Sequence, residues 1–183
     1  MRARLLVLVV ALLLVAGGAG VAVAGQQPRL RAAGPTSVSG TDATAVFTIA
    51  HRVVRQVRYA DHGTLAYTFT LHNDGGLPLT VTGLAPAVSP RLFRLRDLRT
   101  TSGDAHFTVP AGSSRRVVLR MLMRGCETLS ARAGSFVTTV ALDTVRARVL
   151  HRVVTVRLPE ELHTGSPREA FCPNATATSR PPG

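Results

Sequence analysis

The residues of this 183-residue chain that could do chemistry are six histidines, two cysteines, the methionines Met121 and Met123, and a few acid-imidazole neighbours. Histidines at 51, 62, 72, 106, 151 and 163 never fall at i, i+2 or i, i+4, the spacings that let one strand or helix offer two imidazoles to a zinc ion. They read as surface and turn residues. A copper site carried on a loop needs His and Met shortly after its Cys, but Cys126 is followed by Glu127-Thr128-Leu129-Ser130-Ala131-Arg132. Met121 and Met123 precede it in phase with Val117 and Leu119, so they belong to a core face. Catalysis by a nucleophile needs a base and an orienting acid. The chain has no Gly-x-Ser-x-Gly, no His-Glu-x-x-His and no Gly-rich loop opening a helix. Asp61-His62, and Asp104-Ala105-His106 on one face of a strand, bring acid beside imidazole, but neither has a Ser or Cys that the sequence can place with it. No catalytic residue, metal ligand or cofactor is expected.

The formal net charge is +12, and all 22 basic residues are arginine. Two readings follow. Arg91, Arg94, Arg96 and Arg99 form a candidate patch for an anionic surface such as phospholipid headgroups or a wall polymer. Against this, the abundance of Ala, Val, Gly and Arg is what GC-rich coding produces, and the arginines are scattered through strands instead of gathered in runs. No nucleic-acid partner is expected from that scatter. Asn174-Ala175-Thr176 fits a glycosylation acceptor, a lone and weak signal.

Arg2 and Arg4 followed by the uncharged run Leu5 to Gly25 have the form of an export signal. Two outcomes stay open, cleavage after Ala24 or retention of residues 5–25 as a membrane anchor, and both place the remainder outside the cytoplasm. The expected organisation is signal or anchor 1–25, linker 26–44, a β-sandwich at 45–160 and a C-terminal tail 161–183. The linker reading rests on QQPRLRAAGPTSVS, which is rich in Pro, Gly, Ser and Ala and lacks periodicity.

Within the sandwich the alternation is plain. Leu65, Tyr67, Phe69 and Leu71 share one face, Ala66, Thr68, Thr70 and His72 the other, as in a strand with one buried side. Asn73-Asp74-Gly75-Gly76 is a tight connection, after which Leu77, Leu79 and Val81 resume the pattern. Further strands are expected at Ala45 to Ile49, Val53 to Tyr59, Ala105 to Val109, Arg116 to Arg124, Gly134 to Leu142 and Leu150 to Leu158. Arg91 to Leu98 reads as an edge strand guarded by charge. Seven or eight short strands separated by Gly/Pro clusters predict an all-β antiparallel sandwich.

The succession FTLHNDGGLPLTVTGL, PRLFRL, FTVPAGSSRRVVLRMLM, GSFVTTVAL and VVTVRL resembles the hydin-like (abnormal-spindle type) immunoglobulin-like domains of exported bacterial proteins. The resemblance spans roughly Val53 to Pro159. It departs where the long strand ends in Arg124-Gly125-Cys126 in place of an aromatic-x-Pro. It implies an immunoglobulin-like sandwich with a non-enzymatic, adhesive or scaffolding role, and it transfers no active site. The expected function is therefore an exported binding or structural module at the outer face of a bacterial membrane, its partner an unidentified protein or envelope polymer. The alternative is an extracytoplasmic carrier of a small ligand or metal, which a concave pocket with converging His or Met would favour.

Cys126 and Cys172 are expected to pair, because an exported chain meets an oxidising compartment and neither cysteine has metal-ligand spacing around it. The bridge would pin the tail and stabilise by about 4 kcal/mol on the chain-entropy estimate. Thiol titration of the unreduced, denatured protein should find no free thiol, with a monomer on a non-reducing gel. Two titratable thiols, or a dimer that reduction dissolves, would refute the pairing.

Overall fold

The computed structural model describes residues 27–41, 44–60, 62–86, 93–124, 135–164 and 170–171. Its elements are β1 (Leu30–Ser39), β2 (Thr44–Ile49), β3 (Arg52–Val57), β4 (Tyr59–Ala60), β5 (Thr64–Asn73) and β6 (Leu79–Leu84), then β7 (Phe93–Thr100), β8 (Phe107–Val109), β9 (Ser114–Met123), β10 (Ser135–Arg146), β11 (Leu150–Thr164) and β12 (Ala170–Phe171). No helix occurs among the described residues, and hence none long and apolar enough to cross a membrane. The apolar run 5–25 lies outside them.

Two sheets make the sandwich, one in the order β1-β5-β9-β7 and the other in the order β2-β3-β11-β10-β6-β8; β4 and β12 form a small third pair. The main sheets thus hold ten strands, more than the seven or eight expected. Pairing is antiparallel except at β3–β11 and β4–β12, which correct the wholly antiparallel expectation.

The core is built by alternation. Leu65, Tyr67, Phe69 and Leu71 of β5 face Val117, Leu119, Met121 and Met123 of the adjacent β9, and all are fully buried. From the opposite sheet Leu79, Val81, Val140, Leu142 and Val156 close the layer. Each such side chain removed from water contributes about 1.5–3 kcal/mol of hydrophobic stabilisation before chain entropy is counted against it. Leu77 is only half-buried.

Within the stretch 26–44, expected as a linker, Leu30–Ser39 is a strand of the sandwich. Leu30–Ser39 pairs with β5, and Leu30, Ala32 and Val38 pack on the core. Its periodicity is hidden because the register shifts between Ala33 and Ser37, where Gly34 and Pro35 interrupt the ladder and Pro35 has no N–H to give it. The sandwich therefore begins at β1, and at its other end β11 runs to Thr164, past the expected boundary at 160. Gly40 lets the chain leave β1 for the opposite sheet. Its φ is +78°, and a Cβ there would lie 2.0 Å from the Thr64 carbonyl oxygen, so only glycine fits.

Asn73-Asp74-Gly75-Gly76 does not fold one strand back on its neighbour; it carries the chain from β5 in one sheet to β6 in the other. Asn73 holds this crossing together. Its buried amide donates to the carbonyls of Leu77 at 2.8 Å and Val109 at 3.0 Å, and its side-chain oxygen accepts the Gly75 N–H at 2.9 Å. Asn73→Ala would leave two carbonyls and one N–H without partners, which predicts a loss of about 2–3 kcal/mol. Urea unfolding of the variant measures it; a loss under about 0.5 kcal/mol would show that water replaces the amide.

Candidate binding edge and its charge clusters

A sheet edge with free N–H and C=O groups recruits strands unless something blocks it. The two main sheets end in β1, β7, β2 and β8. β1 carries the irregularity at Gly34-Pro35 and is stitched across the sandwich by the Thr36 hydroxyl, which donates to Glu160 at 2.7 Å. β7 carries Arg94, Arg96, Asp97 and Arg99 and a register shift between Leu95 and Asp97. β8 is three residues long and is followed by Pro110. β2 has none of these devices. Its sequence TAVFTI contains no charge, Pro or Gly, its register with β3 is unbroken, and all six residues are exposed.

Register assigns the faces of β2, because directly paired residues point to the same side. Phe47 pairs with Val54 and Val54 with Glu161, while Ile49 pairs with Arg52, so Phe47 and Ile49 lie on the outer face of the six-stranded sheet. Val46 pairs with Arg55, which faces inward toward the other sheet. Exposures of 49% at Val46, 36% at Phe47, 55% at Ile49 and 37% at Val53 leave apolar side chains of the β2–β3 arm open on both faces.

Two charge clusters hold that arm. On β11, Leu158 to Glu161 lie opposite Thr138 alone, a bulge centred on Pro159, which lacks the N–H a regular ladder needs. Glu160 points inward, in phase with the buried Val156, Leu158 and Leu162 of the same strand. Arg55 donates to it through Nε at 2.5 Å and through its second nitrogen at 2.9 Å, Thr36 adds a third bond, and the Tyr67 hydroxyl stands at 3.4 Å. One carboxylate so joins β3, β1 and β5 to β11. Burial alone would raise the Glu160 carboxyl, but the hydrogen bonds from Arg55 and Thr36 and the Arg55 charge outweigh it and hold the group below the usual carboxylate range. Burial, then the Glu160 charge, push the Tyr67 phenol well above its ordinary value.

On the outer face Glu161 takes a fork of bonds from Arg52 and a longer one from Arg157 at 3.4 Å, and the Arg52 bonds hold its carboxyl low. Arg52 also lies over the Phe136 ring at 5.7 Å, and Phe136 stacks on His163 at 4.4 Å. The cations nearest β2 are therefore neutralised by β11.

The expected arginine patch is dispersed. Arg94 and Arg96 are exposed on β7, which is an edge strand as expected. Arg99 instead turns to Asp97 at 3.4 Å, and Asp97 also takes both arms of Arg120, which hold its carboxyl low. Arg91 lies outside the described residues, as do Cys126, Cys172 and Asp61. Asp104 and His106 precede β8 in a loop, not a strand; the Asp104 carboxylate accepts the hydroxyls of Ser102 at 2.7 Å and Thr100 at 2.9 Å, which hold it low. Both residues line an open hollow with Arg115 and Arg116. Among the described residues no group of three His, Cys, Asp or Glu could hold a metal ion.

No family model and no curated protein matches the chain. Among solved structures, an X-ray structure of a Northeast Structural Genomics Consortium target is similar at a TM-score of 0.35 and 9% identity, covering 73% of this chain and 87% of that one. The cupredoxin domain of amoB from Nitrosocaldus yellowstonii is similar at a TM-score of 0.28 and 12% identity, covering 52% of this chain and 55% of its own. At these scores nothing about ligands or activity carries over.

Glu160 and Arg55 were not singled out by sequence reasoning. The signal open to it was Glu-Glu after Pro159 at the end of an apolar strand, where a buried acid requires a buried base. Arg55→Ala leaves Glu160 unpaired and predicts a loss of about 2–4 kcal/mol. Because Glu160, Glu161 and Asp97 are held low when folded, their contribution is complete above the ordinary carboxylate value of about 4 and is lost as pH falls through the lower folded values. Unfolding midpoints should hold from pH 8 to 5 and drop below about pH 4, with a smaller acid drop in Glu160→Gln. An acid drop of equal size in that variant would remove Glu160 from the explanation.

Proposed function

We propose that this chain is an exported, non-enzymatic module of immunoglobulin-like type that binds at the outer face of a bacterial membrane, with the open edge of β2 as its binding device. The observation that carries the reading is the contrast among the edges: β1, β7 and β8 are blocked, and β2 is regular in register, uncharged and exposed. Strand addition to such an edge draws affinity from main-chain hydrogen bonds and selectivity from alternate side chains. The two charge clusters serve the same end by fixing the β2–β3 arm to β11. Export is supported by Arg2 and Arg4 ahead of the run Leu5 to Gly25, and the immunoglobulin-like assignment by the turn and strand motifs shared with hydin-like domains.

Co-sedimentation of the full chain with envelopes prepared from its own cells tests this reading. The wild type should be retained, and Phe47→Lys, which puts a charge on an exposed edge residue, should be retained at least about tenfold less. Retention unchanged by Phe47→Lys but abolished by salt would transfer the role to the exposed arginines Arg94 and Arg96.

A further inference from the structure

We infer that the occupant of the β2 edge is a second copy of this chain, its β2 paired antiparallel with the first about a two-fold axis that joins the six-stranded sheets into one. This rests on the reading of β2 as the binding edge and names its partner.

Symmetry limits how β2 can pair with itself. A two-fold axis perpendicular to the sheet keeps each outer face outward, so a residue on that face can meet only a residue of the copy on the same face. Ala45, Phe47 and Ile49 share one face, and Thr44, Val46 and Thr48 the other. Centring the axis on Phe47 sets Phe47 opposite the copy's Phe47, Ala45 opposite its Ile49 and Val46 opposite its Thr48. Every pair is apolar or contains Thr, and none joins like charges. Aromatic and β-branched cross-strand pairs of this kind are the ones that stabilise sheets.

Charge points the same way. The chain carries +12, which opposes self-association at long range. At the edge itself the opposition is cancelled, since Arg52 is bound to Glu161 and Arg55 to Glu160. An acidic partner would find no free cation on Thr44–Ile49, whereas an uncharged strand finds its complement there. The arm exposes apolar side chains on both faces, Phe47 and Ile49 outside and Val46 and Val53 inside. A lone peptide strand would add one marginal neighbour; a copy brings a strand already supported by a sheet of its own, which continues the six-stranded sheet across the seam.

Salt gives the signature. Screening shortens the reach of the net positive charge to about 8 Å at physiological ionic strength, so association of two copies should strengthen as salt rises, the reverse of binding to an acidic partner.

Sedimentation equilibrium of the full chain as recovered from the envelope should show a monomer–dimer equilibrium that tightens between about 0.05 and 0.5 M salt. Phe47→Lys and Ile49→Lys, both at exposed positions and checked for unchanged melting, should each raise the dissociation midpoint at least about tenfold. Arg94→Glu on β7 should not raise it. Phe47→Cys, oxidised, should give a 47-to-47 disulfide dimer identified by mass spectrometry. A monomer at every concentration, a dimer that salt weakens, or a dimer indifferent to Phe47→Lys and Ile49→Lys would each overturn the inference. A monomer whose envelope retention is still lost in Phe47→Lys would leave the binding-edge reading standing with another occupant. A monomer at every concentration together with retention unaffected by Phe47→Lys would remove both.

Discussion

A β-sheet must do something with its last row of N–H and C=O groups, and in this protein the treatment of four such rows organises the rest of the structure. The Gly34-Pro35 interruption shields β1, charge and a shifted register shield β7, and brevity shields β8. Each device costs regular pairing. β2 gives up none, and its six exposed residues are uncharged. An edge of that composition at the surface of a highly basic protein is the feature that separates one end of the sandwich from the other.

The open edge depends on a buried carboxylate some distance along the sheet. A two-stranded arm is marginal in water, so β2 and β3 stand only if β3 is fixed to the sheet behind it. Its parallel pairing with β11 spans only Glu161 to His163. Arg55 on Glu160 and Arg52 on Glu161 reinforce that short ladder from opposite faces. Alternation along β11 makes both contacts available, since Glu160 shares the inward phase of Leu158 and Leu162 while Glu161 lies on the outer face. Packing supplies the remainder: Tyr67, stacked on Phe69 at 5.6 Å, brings its hydroxyl to the same carboxylate.

Much of this layout was legible in the sequence. Strict alternation placed β5, β9 and the central parts of β10 and β11 on the core, and Met121 and Met123 among them. What stayed hidden has physical causes. β1 was obscured because Gly34 and Pro35 break its period. The turns after β2 and β10 were unmarked because Ala50, Ala147 and Arg148 adopt positive φ where Gly or Asn is usual. The passage from β5 to β6 reads as a simple reversal, since only the partners of Asn73 reveal that it changes sheets. The Arg55–Glu160 pair joins residues separated by 105 positions, which no local pattern announces. Charge spacing alone overstated the β7 arginines, because Asp97 gathers Arg99 and Arg120.

Amide hydrogen exchange at two protein concentrations tests most directly whether β2 is an edge that gets covered. On concentration, amides of Thr44–Ile49 should slow at least about tenfold while those of the charged edge β7, Phe93–Thr100, keep their rates. Unchanged exchange in Thr44–Ile49, or equal slowing of both edges, would contradict it.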